Sequence, residues 1–378
     1  MKRVSIRWFT VPLGVILTLG LWLTARAQSP APQSGAAAAP AGPPPLPPDA
    51  PKPPYRRLVG PETLNPGDWP QHWPYPDEDD SAVAASEVHH IRYIDNHVRF
   101  VEVAYFPGVH GQMHGHPWPS VFANDAPTPK NDYNVNLDPQ NRAIFGVGAP
   151  PQGMEFPTCR TLGPQAPHAE TNNDTWPHHF YRLEFLRVDG TGIQQHWREW
   201  YPHMLDPLLP VKDVHPPAGA AKFSAAWPYP IAYDSIIAAP NNHKLLFEDD
   251  HVRLVEVTIR PGETENIHGH PYPSVFAQDA ISGTTGEDHK LDPDSPLNGQ
   301  GGGSGPAPPG FDAPSCSTMG PQAPHAAHNT GSVPMHFYRI EFKRIDGAEL
   351  QTKWREWYPW MAKLTDEYKL HPYVSNYY

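Results

Sequence analysis

Six histidines in this chain stand in two matching sets of three. His114 and His116 flank a single glycine, and His168 follows further along; His268, His270 and His325 repeat the arrangement. On a strand, residues i and i+2 point to the same face. The two imidazoles of each His-Gly-His segment therefore project together, and the glycine leaves the opposite face clear. Two imidazoles side by side are two arms of a metal site. A third ligand must come from another strand, and His168 and His325 are the candidates. Imidazole suits Fe, Zn, Mn, Cu and Ni to different degrees, so the donor set calls for a divalent transition metal without naming it. Three protein ligands leave coordination positions for water or substrate, whereas structural sites fill theirs. The competing reading is a polar interior held by hydrogen bonds and water, with no metal.

The histidines sit inside a longer duplication. Val98-Arg99-Phe100-Val101-Glu102-Val103 returns as Val252-Arg253-Leu254-Val255-Glu256-Val257, 154 residues later. Gly163-Pro164-Gln165-Ala166-Pro167-His168 returns as Gly320 to His325, and Trp197-Arg198-Glu199-Trp200-Tyr201-Pro202 as Trp354 to Pro359, both at an offset of 157. Each copy opens on Trp-Pro-Tyr-Pro, at Trp73 and Trp227. The alternating prolines hold that segment extended, as an arm laid across a sheet. Alternating β-branched stretches follow from His97 and His251, closed by Pro107-Gly108 and Pro261-Gly262. The His-Gly-His segments, Ser120-Val121-Phe122 and its copy at Ser274, and the runs from His179 and His336 read as further strands. Asp125 to Pro157 and Asp279 to Pro314 are poor in strand formers and read as surface loops; the run Gly299 to Gly305 has flexible-linker chemistry. Glu170 and His328, which do not match across the copies, read as loop residues. Each copy ends in a short helix. Short strands, Gly/Pro turns and one terminal helix per copy predict an all-β sandwich or barrel, built twice.

Residues 1–27 read as a secretory signal peptide. Lys2, Arg3 and Arg7 precede an uncharged stretch from Trp8 to Ala25, and Ala25-Arg26-Ala27 is a small-x-small cleavage signal. An uncleaved N-terminal anchor is the alternative; either way the rest of the chain is expected outside the cytoplasm, periplasmic or extracellular. Four of the 28 basic residues and none of the 40 acidic ones lie in this leader, which leaves a formal charge of −16. That excess argues against nucleic acid and anionic membrane surfaces as partners. The expected partner is a small-molecule ligand, and a homodimer is left open. Residues 28–80 form a Pro/Ala-rich tether and arm, whose composition cannot bury enough apolar surface to offset its ordering. The expected division continues as domain 1 over 81–205, linker and arm over 206–230, domain 2 over 231–364, and a tail over 365–378.

The histidine motifs resemble those of the cupin superfamily. Gly108, five residues, then His114-x-His116 is similar to the start of the first cupin motif, and Gly262 with His268-x-His270 is similar again. His168-x-x-x-Asn172 and His325-x-x-x-Asn329 resemble the histidine end of the second motif. The resemblance covers about 81–205 and 231–364 and identifies the chain as a tandem cupin, or bicupin. It implies two double-stranded β-helix (jelly-roll) barrels, with His114, His116 and His168 at the mouth of one and His268, His270 and His325 at the mouth of the other. Two features depart from the pattern. Ser120 and Val121, and Ser274 and Val275, stand where cupins place a glutamate ligand, and Ala166 and Ala323 stand near the usual glycine before the third histidine.

Other matched residues admit structural readings. Trp197, Trp200 and Tyr201 share one helical face, which suits packing on a barrel better than a sugar-stacking platform. Glu102 and Glu256 suit pairing with Arg182 and Arg339, and His179 and His336 suit strand-end packing. Cys159 and Cys316 are equivalent and pair only if both lie near a pseudo-twofold axis; two separate buried thiols are the other outcome. The function implied is a metal-dependent oxygenase or isomerase acting on a small molecule. The alternative is a non-catalytic small-molecule or carbohydrate binding module.

Overall fold

A computed structural model describes residues 75–136, 146–281, 286–299, 301–305 and 314–370. The leader, most of the tether, Trp73 and the last eight residues of the expected tail lie outside the described residues.

The first repeat begins with a one-turn helix α1 (Ser81–Ala84) and continues through β1 (His89–Ile94), β2 (Val98–Tyr105), β3 (His114–His116), β4 (Ser120–Asn124), β5 (Asn131–Asn136), β6 (Gly146–Gly148), β7 (Thr158–Leu162), β8 (Gln165–Asn172) and β9 (His178–Phe185) to helix α2 (Ile193–Trp200). The second repeat runs α3 (Ser235–Ala238), β10 (His243–Glu248), β11 (Val252–Ile259), β12 (His268–His270), β13 (Ser274–Gln278), β14 (Gly286–Lys290), β15 (Gly301–Gly305), β16 (Ser315–Met319), β17 (Gln322–Asn329), β18 (Met335–Phe342), α4 (Leu350–Trp357) and α5 (Pro359–Leu370). Each repeat forms a six-stranded antiparallel sheet, ordered β1-β2-β9-β4-β7-β6 or β10-β11-β18-β13-β16-β15, and a three-stranded sheet, β3-β8-β5 or β12-β17-β14. This is the tandem jelly-roll barrel of the cupin resemblance.

Period-two alternation explains how both faces of the large sheets are buried. On β2, Val98 and Phe100 enter one apolar cluster with Val252, Leu254 and Ile340 of the other repeat. Val101, Val103 and Tyr105 enter a different cluster with Phe122, Leu162 and Phe180, inside the first barrel. The two six-stranded sheets thus share a core across a pseudo-twofold relation. Cys159 and Cys316 meet within that core as a disulfide, with Cα atoms 6.3 Å apart. This decides the pairing that the sequence left open.

The terminal helices cross between repeats. Ile193, Trp197 and Tyr201 of α2 and its C-cap pack with Ala280 and Val333 of the second repeat. Leu350, Trp354 and Tyr358 pack with Ala104, Ala126 and Trp176 of the first. The boundary expected at 364 falls inside α5, whose Tyr368 is buried against the first barrel and accepts a hydrogen bond from the His110 amide at 3.1 Å.

Two readings of the middle segments are corrected. The expected loops contain β5, β6, β14 and β15, and the glycine run supplies β15 itself. Glycine is needed there for close approach, because a Cβ on Gly302 would overlap the Thr318 hydroxyl and the Ala149 carbonyl of the other repeat. Glu170 and His328 lie in strands β8 and β17, not in loops. Among the described residues, no helix is long and apolar enough to cross a membrane.

Candidate metal centres

The first centre is framed by a buried charge network. Asp80 caps α1 by accepting from the Ala82 amide at 3.0 Å, and its carboxylate receives both terminal nitrogens of Arg99, at 3.0 and 2.8 Å. Arg99 Nε donates to Glu184 Oε2 at 2.5 Å, and the other oxygen of Glu184 accepts from His116 Nδ1 at 3.1 Å. A run from helix cap to arginine to carboxylate thus fixes the angle of one imidazole. The second repeat builds the same run from Asp234, Arg253, Glu341 and His270, with His270 Nδ1 donating to Glu341 at 2.8 Å.

Four rings converge in the first barrel, not three. Ring centroids of His114 and His116 lie 5.2 Å apart, of His114 and His168 4.7 Å, and of His116 and His168 5.6 Å. His89, from β1, stands 4.5 Å from His114 and 5.2 Å from His116. Nitrogens of His89, His114 and His116 all lie within 4.8 Å of one another. Every Nδ1 has an acceptor outside the cluster: Ala85 carbonyl for His89 at 3.1 Å, Gln112 carbonyl for His114 at 2.8 Å, Glu184 for His116, and Ala166 carbonyl for His168 at 2.9 Å. Carbonyl and carboxylate oxygens only accept, so each Nδ1 carries the hydrogen and each neutral ring keeps its lone pair on Nε2. Burial pulls His114 down to about 4, and burial with neighbouring positive groups holds His89 and His116 well below the ordinary histidine value. Neutral imidazole is the form that binds metal.

The second barrel repeats the cluster. His268 and His270 are 5.1 Å apart, His268 and His325 4.8 Å, and His243 stands 4.3 Å from His268. His268 and His325 donate to the Asn266 and Ala323 carbonyls at 2.9 and 2.8 Å. Burial, again first among the causes, holds His243, His268 and His270 well below the ordinary value. The glycine of the His-Gly-His segment is required by close packing: a Cβ on Gly269 would come to 2.8 Å from the Trp227 ring and 2.9 Å from the Gln322 carbonyl. Trp227 is the arm residue anticipated from sequence, and its Nε1 donates to that same carbonyl at 2.8 Å.

The first centre opens on a cavity of about 330 Å³ lined by its four histidines with Tyr105, Asn131, Arg160, Glu170, His178 and Arg182 among others. Tyr105 reaches His114 Nε2 at 3.3 Å. Arg182 donates to Gln165 at 2.6 Å and lies 3.2 Å from Glu184. It does not pair with Glu102, as the sequence suggested. Cross-strand register places Arg182 opposite Val101, inside the barrel, while Glu102 faces the other repeat.

There Glu102 accepts from His179 at 2.9 Å, and Glu256 accepts from His336 at 3.0 Å. These histidines belong to two further clusters between the barrels. His97 donates to Asp279 at 2.6 Å and His251 to Asp125 at 2.8 Å; Asp189 and Asp346 complete the sets. Arg187 and Tyr201 already engage Asp189, and Arg344 and Tyr358 engage Asp346. Such occupied carboxylates clamp the repeats together. His179 and His336 are therefore interface residues and not strand-end packing.

Sequence reasoning missed His89 and His243. Their signal was present, since both keep the 154-residue offset, but they stand alone before the recognisable strand and outside any motif. Glu184 and Glu341 were also missed as partners of the rings.

No family model matches the chain, and no curated protein matches it. Several solved structures are similar. They include a cupin domain from Bordetella pertussis Tohama I, with 14% identity over 26% of this chain and 91% of that one, at a TM-score of 0.17. An oxalate decarboxylase formate complex from Lactobacillus farciminis shares 14% identity over 69% of this chain and 85% of that one, at a TM-score of 0.17. The Bacillus subtilis oxalate decarboxylase studied for its Mn(II) centres shares 14% identity over 71% and 80%, at a TM-score of 0.19. The fold assignment here rests on strand order and on where the motifs fall.

Proposed function

We propose that this tandem cupin protein is an exported metal-dependent enzyme acting on a small molecule, an oxygenase or isomerase in class, with one mononuclear centre per barrel. His114, His116 and His168 hold the first metal and His268, His270 and His325 the second, joined by His89 and His243. The observation that carries this reading is the common orientation of the first set: four buried rings, each with Nδ1 tied outward to an oxygen acceptor, which places the lone pair of the neutral ring on Nε2. Tyr105 reaches one of these nitrogens, Nε2 of His114, at 3.3 Å. The Glu184–His116 pairing is the outer-shell carboxylate that orients and strengthens a metal-binding histidine. A divalent transition metal bound there would supply Lewis acidity or a site for oxygen. The adjoining cavity carries a buried carboxylate, Glu170, which favours an enzyme over a passive binding module.

Metal analysis of the full chain, purified without added metal, tests this reading. Two equivalents per chain are expected, falling to one in His116→Ala and one in His270→Ala. Full metal content in the double variant would overturn it.

A further inference from the structure

The two centres share their histidines, but several polar residues beside the first have no counterpart in the second. Glu170 is matched by Ala327 and His178 by Met335 at the 157-residue offset. Asn131 pairs across the sheet with Asn172, and the residue facing the equivalent Asn329 is Gly286. Three polar residues on three different strands are thus replaced together by apolar ones or by glycine. In the first barrel they touch one another. Asn131 Nδ2 donates to Glu170 Oε1 and stands 2.7 Å from His178 Nδ1, while Glu170 Oε1 lies 3.2 Å from that same nitrogen. An amide nitrogen carries two hydrogens and no acceptor. Bonding both oxygen and ring nitrogen assigns His178 Nδ1 as acceptor and leaves the ring hydrogen on Nε2. That Nε2 is buried, has no hydrogen-bond partner among the described residues, and belongs to a ring lining the cavity. A buried donor without an acceptor costs stability unless a ligand supplies one.

Resting on the metal reading above, we propose that His178 is a ligand-contacting residue of the first centre: its Nε2–H donates to a small anion, of carboxylate or similar oxyanion chemistry, bound at the metal. Glu170 and Asn131 are positioning residues that fix the ring and its tautomer. Arg160 and Arg182 line the same cavity and favour negative charge in the ligand. Arg182 Nη2 is likewise buried without a hydrogen-bond partner among the described residues. Ser317 stands at the position matching Arg160, so the second centre lacks His178, Glu170, Asn131 and one of the two cations.

The test uses the full chain loaded with cobalt(II) and azide as the anionic probe, read by the visible absorption of the metal. In His270→Ala only the first centre is loaded, and in His116→Ala only the second. Azide should bind the first centre at least about tenfold more tightly than the second, as one charge-assisted hydrogen bond predicts. Adding His178→Met to the His270→Ala chain should remove that advantage while one cobalt per chain is retained. His178→Gln, which keeps a donor, should recover part of it. Equal azide affinity at both centres, or an unchanged affinity in His178→Met, overturns the inference and leaves the metal reading intact. Loss of cobalt from both His178 variants would mark the residue as a support of the centre and also overturn it. A parent chain that takes up no cobalt overturns the proposed function itself.

Discussion

Replacing His336 by glutamine should destabilise the protein most near pH 6 and least in strong alkali. His336 is fully buried between the barrels, donates through Nε2 to Glu256 at 3.0 Å, lies 3.4 Å from Asp279 through Nδ1, and stacks 5.3 Å from His97. Tyr201 and Tyr338 complete its surroundings. Burial works against its charge, but the hydrogen bonds and charges of Asp279 and Glu256 outweigh it and push the ring up to about 10. The rise from 6.5 to about 10 corresponds to roughly 5 kcal/mol of preference for the charged ring, at about 1.4 kcal/mol for each tenfold change. Because the folded value is raised, this stability is present below the unfolded value near 6.5 and is lost as pH climbs through about 10. On the acid side, burial opposes ionisation of Glu256, yet His336 holds it down at about 2, so its share is present above the ordinary carboxylate value and lost toward pH 2.

Breaking a buried pair by removing one partner costs about 3–5 kcal/mol. For a chain of this size that is a fall of roughly 6–10 °C in melting temperature. Thermal scans of parent and His336→Gln at pH 6, 8 and 10 check it. The gap should be widest at pH 6 and should narrow toward pH 10, where the parent ring discharges too. A gap that is constant with pH would show that His336 acts by shape alone, and no gap would show that the interbarrel clusters contribute nothing.

Further outcomes follow from the same geometry. Glu184→Gln should weaken metal binding in the first barrel by about 10–100-fold and leave the second unchanged, measured by competition with a chelator. His89→Ala should lower the affinity of the first centre while retaining its metal at saturation; no change would remove His89 from the ligand set. Changing Cys159 and Cys316 to serine should cost about 2–5 kcal/mol, because the bond closes a loop spanning one whole repeat, and denaturant melts would detect it. Limited proteolysis should cut first between residues 28 and 70, and early loss of a barrel instead would contradict the tether.

Local pattern made the fold legible. The alternation of Val98, Phe100 and Glu102 against Arg99, Val101 and Val103 is a property of neighbouring residues, and it separates the interbarrel face from the barrel interior. The His-Gly-His segments were legible for the same reason. What escaped was set by distant partners. Nothing near Gly302 announces that Ala149 of the other repeat lies against it, so a packed strand reads as a linker. Glu102 looks like a partner for any buried arginine until the register puts Arg182 on the opposite face. His89 carries no motif, and only the turn from α1 into β1 brings its ring over His114. Glu170 looked like a loop residue because it breaks the repeat, yet breaking the repeat is what marks it.

The internal duplication therefore separates two kinds of buried polar residue. Asp80, Arg99, Glu184 and the four histidines keep their identities in Asp234, Arg253, Glu341 and the second four; so do His97, Asp125, Asp189 and Tyr201 at the interface. Both groups do work that either barrel must do to fold, to orient its rings and to clamp its neighbour. Glu170 and His178 are buried too and Asn131, partly buried, donates to both, but the second barrel dispenses with all three. If they were needed to hold a barrel together, Gly286, Ala327 and Met335 could not stand in their places. Their joint loss in one copy, beside an otherwise preserved set of rings, fits a unit that serves a ligand at one centre and has no task at the other.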